Sequence, residues 1–126
     1  MLLKEGLHKS NEKLQKRLRR FNKKLDKEII DWKLVMKSNS FSKPNLAVEI
    51  LIEREFIALY EDVKDIPKRD PGWVVREARN DVVCNPAYSG KIMFFNKSEY
   101  ARSFARHLEK LDKTIAYKVD MFRRSD

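Results

Sequence analysis

The chain has 126 residues, with 28 Lys plus Arg against 19 Asp plus Glu and a formal charge of +9. One domain with an appended helix fits that length, and 42% apolar residues give a modest core beneath a surface drawn from 37% charged residues. Three glycines and four prolines are too few for a turn-rich sandwich or a low-complexity linker, and no apolar run approaches the ~20 residues that cross a bilayer.

The excess charge is segregated. Residues 1–43 carry net +8, residues 44–66 net −4 and residues 67–126 net +5. The division follows that pattern, with an N-terminal basic helical arm over 1–43 and a small α+β domain over 44–126.

A long helix is predicted over residues 9–37, capped by Ser10 or Asn11 and free of Gly and Pro as far as Lys37. Leu7, Leu14, Leu18, Phe21, Leu25, Trp32 and Val35 fall three and four apart, with Asn11 and Glu28 in the seam. That is a heptad pattern over about four repeats. The other faces carry Lys9, Lys13, Lys16, Arg17, Arg19, Arg20, Lys23, Lys24 and Lys27. Ile29, Ile30, Leu34 and Met36 widen the apolar face as the helix enters a core. Residues 38–44 are then a break.

Residues 46–60 are apolar with acids interleaved. Val48, Ile50 and Ile52 alternate with Glu49, Leu51 and Glu53; Phe56, Ala58 and Tyr60 alternate with Glu55, Ile57 and Leu59. The β-branched content favours two strands meeting near Glu53, Arg54 and Glu55. A buried helix is the competing assignment, since no Gly or Asn marks a hairpin.

Residues 61–72 read as a loop broken by Pro67 and Pro71-Gly72. Short strands are predicted at 73–76 and 81–84, a turn at 85–90 and a strand at 91–95. Asn96 stands three residues before Glu99, a capping-box spacing. It opens a helix with Tyr100, Phe104, Leu108 and Leu111 on one stripe and Ala101 and Ala105 beside it. Residues 114–119 alternate again as a closing strand. The fold class is α+β: a long N-terminal basic amphipathic helix, then a small, mostly antiparallel sheet with a strand–helix–strand unit at the C-terminal end.

The basic helix is the leading candidate site. Cations on a stiff rod can follow a phosphate backbone and release its condensed counterions. Binding of nucleic acid or an acidic partner is assigned to Lys13, Lys16, Arg17, Arg19, Arg20, Lys23, Lys24 and Lys27. Leu14, Leu18, Phe21 and Leu25 form a helix interface, since leaving them wet forfeits roughly 1.5–3 kcal/mol each. A helix of ~40 Å overhangs a small sheet, so an intermolecular contact is expected over residues 10–25, through dimerisation or docking.

Other candidates are thinner. Tyr88, Lys91, Phe94, Phe95, Tyr100 and Arg102 compose a candidate stacking surface for unpaired bases. Alternation sets Ile92 and Phe94 on one strand face and Met93 and Phe95 on the other, with at least one pair in the core. His8 and His107 lie in different elements. Cys84 is alone, which excludes an internal disulfide and a two-cysteine metal site. Glu49, Glu53, Glu55, Asp62 and Asp65 lack calcium-loop spacing, and Asp70…Glu77-Ala78-Arg79 is too compact for a metal nuclease. No catalytic residue, metal or cofactor is assigned, and Arg123-Arg124 read as a basic tail.

The sequence points to a cytoplasmic, non-enzymatic accessory protein that binds nucleic acid or a nucleic-acid-handling machine of the polymerase or ribosome type. A homodimer is a companion expectation; a membrane partner is not. The small size and Lys-rich composition suit a viral accessory protein. The alternative is a protein–protein assembly module that dimerises or docks through the heptad helix and reads an acidic protein surface.

Overall fold

A computed structural model describes residues 2–37, 45–68, 70–79, 83, 88 and 90–123, with side chains from Glu12 onward. The elements in chain order are α1 (Leu2–Asp26), α2 (Trp32–Met36), α3 (Leu46–Glu53), β1 (Ile57–Tyr60), a 3-10 turn (Val63–Asp65), β2 (Gly72–Glu77), β3 (Ile92–Phe95), α4 (Ser98–Leu111) and β4 (Tyr117–Phe122). The sheet order is β1-β3-β2-β4, every pair antiparallel. β3 and β4 therefore point the same way with β2 between them, and α4 makes the crossover. The α+β class, the N-terminal helix and the C-terminal strand–helix–strand unit are all present.

Strand alternation gives the sheet two apolar faces. Ile57, Val75, Met93 and Phe95 meet the helices, where Phe21, Leu25, Val35, Leu51 and Phe104 close the main core. The opposite face carries Val74, Ile92 and Phe94, covered by Ile66 from the β1–β2 connection. All of β3 is buried, so both of its side-chain pairs are core. Gly72 is dictated by this packing, because a Cβ there would collide with the Phe94 ring.

The helix boundaries differ from expectation for identifiable reasons. α1 begins at Leu2, which puts Ser10 and Asn11 inside it, and it stops at Asp26. No Gly or Pro ends it. Glu28 takes φ +59°, the Ile29 N–H donates to the Lys24 carbonyl at 2.7 Å and the Glu28 N–H to the Leu25 carbonyl at 2.8 Å. These are the paired bonds of a Schellman ending, with Glu where Gly is usual.

Residues 46–53 are a helix, not a strand. Asn45 sets it: its side chain accepts from the N–H groups of Ala47 and Val48 and donates to the Val35 carbonyl at 2.7 Å. This buried N-cap ties α3 to α2. A second Schellman ending follows, with Glu55 at φ +61° and the Phe56 N–H donating to the Leu51 carbonyl at 2.9 Å. The chain then enters β1, so the latter half of the 46–60 prediction holds as a strand.

Asn96 does not cap α4. Its N–H donates to the Phe56 carbonyl at 3.2 Å, prolonging the β1–β3 ladder, and Lys97 takes the cap position without a side-chain bond. The closing strand starts at Tyr117, later than the predicted 114. Of the strand predicted at 81–84, only Val83 is among the described residues, bridged to Arg76. The turn at 85–90 is described at Tyr88, which bridges Lys91, and at Gly90, with φ +75°. The break at 38–44, Cys84, Arg124 and the side chains of Leu7, His8 and Lys9 lie outside the described residues.

Candidate nucleic-acid interface

α1 divides its side chains cleanly. Leu18, Phe21 and Leu25 are buried, while Leu14 is 37% exposed. Phe21 and Leu25 belong to the same core as Ile57 and Phe95, since α1 lies against α3. The seam from Leu18 onward is thus satisfied within the chain, without the intermolecular contact expected for it. Phe21 and Leu25 of α1 and Trp32 and Val35 of α2 share one buried cluster with the sheet.

The cationic side of α1 is not neutralised by this packing. Lys13, Lys16, Arg17, Arg19, Arg20, Lys23 and Lys27 are exposed and, among the described residues, take part in none of the ion pairs. Lys24 alone of the eight predicted cations is paired, its Nζ 3.0 Å from Asp31. Glu49, Glu53 and Glu55 are exposed on the middle segment. The bridge that does join that segment to α1 has the opposite sense, Arg54 to Asp26 at 2.9 Å.

The structure sorts the predicted cations by neighbour. Arg17, Arg20 and Lys24 share one face through their i, i+3, i+7 spacing. With Lys33 and Lys37 from the α2 segment they line a cleft of about 320 Å³. A second cleft of about 480 Å³ shares Lys24, Asp31 and Lys33 and adds Arg106, His107 and Lys110 from α4. Among the described residues Asp31 is the one acid lining either cleft. Lys13, Lys16, Arg19, Lys23 and Lys27 line neither.

Three local features bring these groups together. Asp31 caps α2 by accepting from the Leu34 N–H at 3.3 Å, and its other oxygen takes Lys24, fastening α1 to α2. Trp32 then pins α2 to α4: its Nε1 donates to Ser103 Oγ at 2.9 Å, and its ring lies 4.9 Å from that of Phe104. Lys33, next in sequence, is thereby held beside His107 and Lys110. Arg106 and Lys110 were missed in the sequence because the Trp32 anchor is what brings α4 to this surface, and Lys33 and Lys37 because the turn at Glu28 and the Lys24–Asp31 bridge set α2 beside α1.

The electrostatics agree with a cationic surface. Burial pushes the Asp31 carboxyl up, but hydrogen bonds from Lys24 and the Leu34 and Lys33 amides outweigh it and hold it below its ordinary value. His107 is lowered, first by burial and then by the field of Lys33, with Lys110 adding and Asp31 opposing. Burial and the cations around it disfavour its protonated form.

The aromatic candidate is corrected. Phe94, Phe95 and Tyr100 are core residues, so their rings are not offered to bases, and Tyr88 is half-buried against the main core. Lys91 and Arg102 are exposed. On the other side of the sheet a cleft of about 490 Å³ carries Glu55 and Asp70, with no cation among the described residues that line it. Among the described residues no cluster of His, Cys, Asp and Glu could hold a metal ion, and no helix is long and apolar enough to cross a membrane. Comparison with protein-family models, curated proteins and solved structures finds no match.

Proposed function

We propose that the chain is a nucleic-acid-binding accessory protein whose contact surface is the outer side of α1 together with the two basic clefts between α1, α2 and α4. The observation that carries this reading is that α1 packs against the acidic segment and still leaves six of its cations, and Lys27 just past its end, unpaired among the described residues. Packing alone has no use for them. Arg17 and Arg20 offer planar guanidinium forks suited to phosphate oxygens, and Lys33, Lys37, Arg106 and Lys110 continue the positive field across the clefts. Trp32 is buried, so its ring does not stack on bases, and the contacts assigned to these cations are to phosphate oxygens.

The assembly alternative is weakened by the same geometry, since three of its four seam residues are in the chain's own interior. Fluorescence anisotropy of the full chain with single- and double-stranded DNA and RNA, between ~50 and ~200 mM salt, tests the proposal. Affinity is expected to fall linearly on logarithmic axes, with a slope that Arg17→Ala and Arg20→Ala each reduce by about one. Absence of binding at the low-salt end, or indifference to salt, would contradict it.

A further inference from the structure

Ser103, Arg106, His107 and Lys110 fall at i, i+3, i+4 and i+7 of α4, which puts them on one stripe of that helix. The stripe faces α2, because Trp32 Nε1 donates to Ser103 Oγ at 2.9 Å. There it meets Lys33 of α2 and Lys24 of α1, and the six line one cleft of about 480 Å³. Asp31, the acid that lines it among the described residues, has both oxygens engaged, Oδ2 by Lys24 Nζ at 3.0 Å and Oδ1 by the Leu34 N–H at 3.3 Å. Lys33, Arg106 and Lys110 are exposed and join no ion pair among the described residues. Ser103 Oγ accepts from Trp32, which leaves its hydroxyl hydrogen to donate, and the His107 imidazole carries an N–H in either protonation state. The cleft therefore offers donors and positive charge to whatever enters it. Ile29, on its wall, is 56% exposed and adds an apolar surface beside them.

We infer that this cleft takes a terminal phosphomonoester of a nucleic-acid strand, with the sugar and base of the end nucleotide resting on Ile29. The inference rests on the nucleic-acid reading above and adds which part of the strand α4 holds. The outer row of α1 and the α4 cleft present charge differently. Arg17, Arg20 and Lys24 follow one another along a helix, an arrangement for successive diesters with one charge each. In the cleft, cations from α1, α2 and α4 converge on one volume, four of them against one acid among the described residues. A mid-strand diester brings a single negative charge to that field. A phosphomonoester brings close to two, on three strong acceptor oxygens, and so matches both the charge and the donor set. Arg106 supplies a planar fork for two of those oxygens, and Lys33 and Lys110 add point charges. His107 already registers the field: after burial, Lys33 and Lys110 hold its pKa down against the opposing Asp31. Lys24 is shared with the neighbouring cleft, so a strand whose end is seated here continues toward Arg20 and Arg17.

Fluorescence anisotropy of the full chain at ~150 mM salt tests the proposal, with a short single strand labelled on an internal base and carrying a 5′-phosphate, a 3′-phosphate or hydroxyls at both ends. One phosphorylated form is expected to bind at least about fivefold more tightly than the hydroxyl form. The Arg106→Ala/Lys110→Ala double variant should cut that preference to less than about twofold, while Arg17→Ala/Arg20→Ala weakens all three strands together and leaves it intact. Arg102→Ala, on α4 but outside both clefts, should also keep it, and circular dichroism confirms that each variant is folded. Equal, salt-dependent affinity for the three strands overturns the proposal and leaves the nucleic-acid reading standing, whereas no binding by any strand overturns both. A preference that survives Arg106→Ala/Lys110→Ala places the strand end elsewhere and overturns the proposal as well. So does a nucleoside monophosphate or a phosphoserine peptide that displaces the phosphorylated strand at equal concentration, since the ligand is then not a strand end.

Discussion

α1 and α4 perform the same structural task and present opposite surfaces to solvent. Each lays one apolar stripe on the core, Leu18, Phe21 and Leu25 in one and Tyr100, Ala101, Phe104 and Ala105 in the other. The outward side of α4 mixes signs, with Glu99 and Glu109 among Arg102, Arg106 and Lys110. That of α1 is almost wholly cationic between Lys13 and Lys27, Asp26 being the exception. Mixed signs suffice to solvate a helix that covers a sheet. The uniform charge of α1 is therefore a property beyond packing, and it adjoins the clefts that α4 completes.

The largest effects should be equal for the two helices if their inner faces are equivalent. Phe21→Ala and Phe104→Ala are each expected to cost about 3–5 kcal/mol by denaturant unfolding, and Leu14→Ala less than about 1. A small loss at Phe21 would mean that α1 is an appendage after all. Next come the outer faces. Arg17→Ala with Arg20→Ala should weaken oligonucleotide binding about tenfold at fixed salt, whereas Arg102→Ala, exposed on α4 and outside both clefts, should change it less than about twofold. Equal losses would show that net charge alone governs binding.

Smaller effects sharpen the picture at the joints. Glu28→Gly should stabilise the chain by about 0.5–1 kcal/mol, since Gly takes a positive φ without the Cβ strain. The exposed Lys97–Glu28 contact at 3.7 Å contributes little against that gain. His107 gives the finest test. Its pKa is depressed in the folded chain by burial and by Lys33, so unfolding takes up a proton. The stability it contributes is present above the unfolded-state pKa and fades as pH falls through it toward the folded value. His107→Gln should flatten that dependence. A polyanion in the clefts reverses the cationic field and raises the His107 pKa, so binding should tighten from about pH 8 to about pH 6 in the wild type and less in His107→Gln.

The sequence was legible where spacing alone decides. Leu18, Phe21 and Leu25, the β3 run and the Tyr100–Phe104 stripe all follow from period and residue type. It was illegible where a rule was broken by one residue. Glu28 and Glu55 end helices in a conformation usually left to Gly, so α1 reads as continuing to Lys37 and residues 46–53 read as a strand. Val48, Ile50 and Ile52 reinforced that error, because β-branched residues in a short, largely buried helix mimic a strand. Asn45, standing just before Leu46, was the available sign of a helix start. Half of the candidate surface was legible as a cationic run. Arg106 and Lys110 depend on Trp32 meeting Ser103 across 71 positions of chain, a contact no local pattern announces, and Lys33 and Lys37 on the turn at Glu28 and the Lys24–Asp31 bridge.

The most direct test of the claimed surface is amide and side-chain chemical-shift mapping of the full chain during titration with a short oligonucleotide. Shifts should concentrate on Arg17, Arg20, Lys24, Lys33, Arg106 and His107, leaving the acidic cleft around Glu55 and Asp70 unmoved. Shifts centred on that opposite side, or spread evenly over every exposed lysine, would contradict the account.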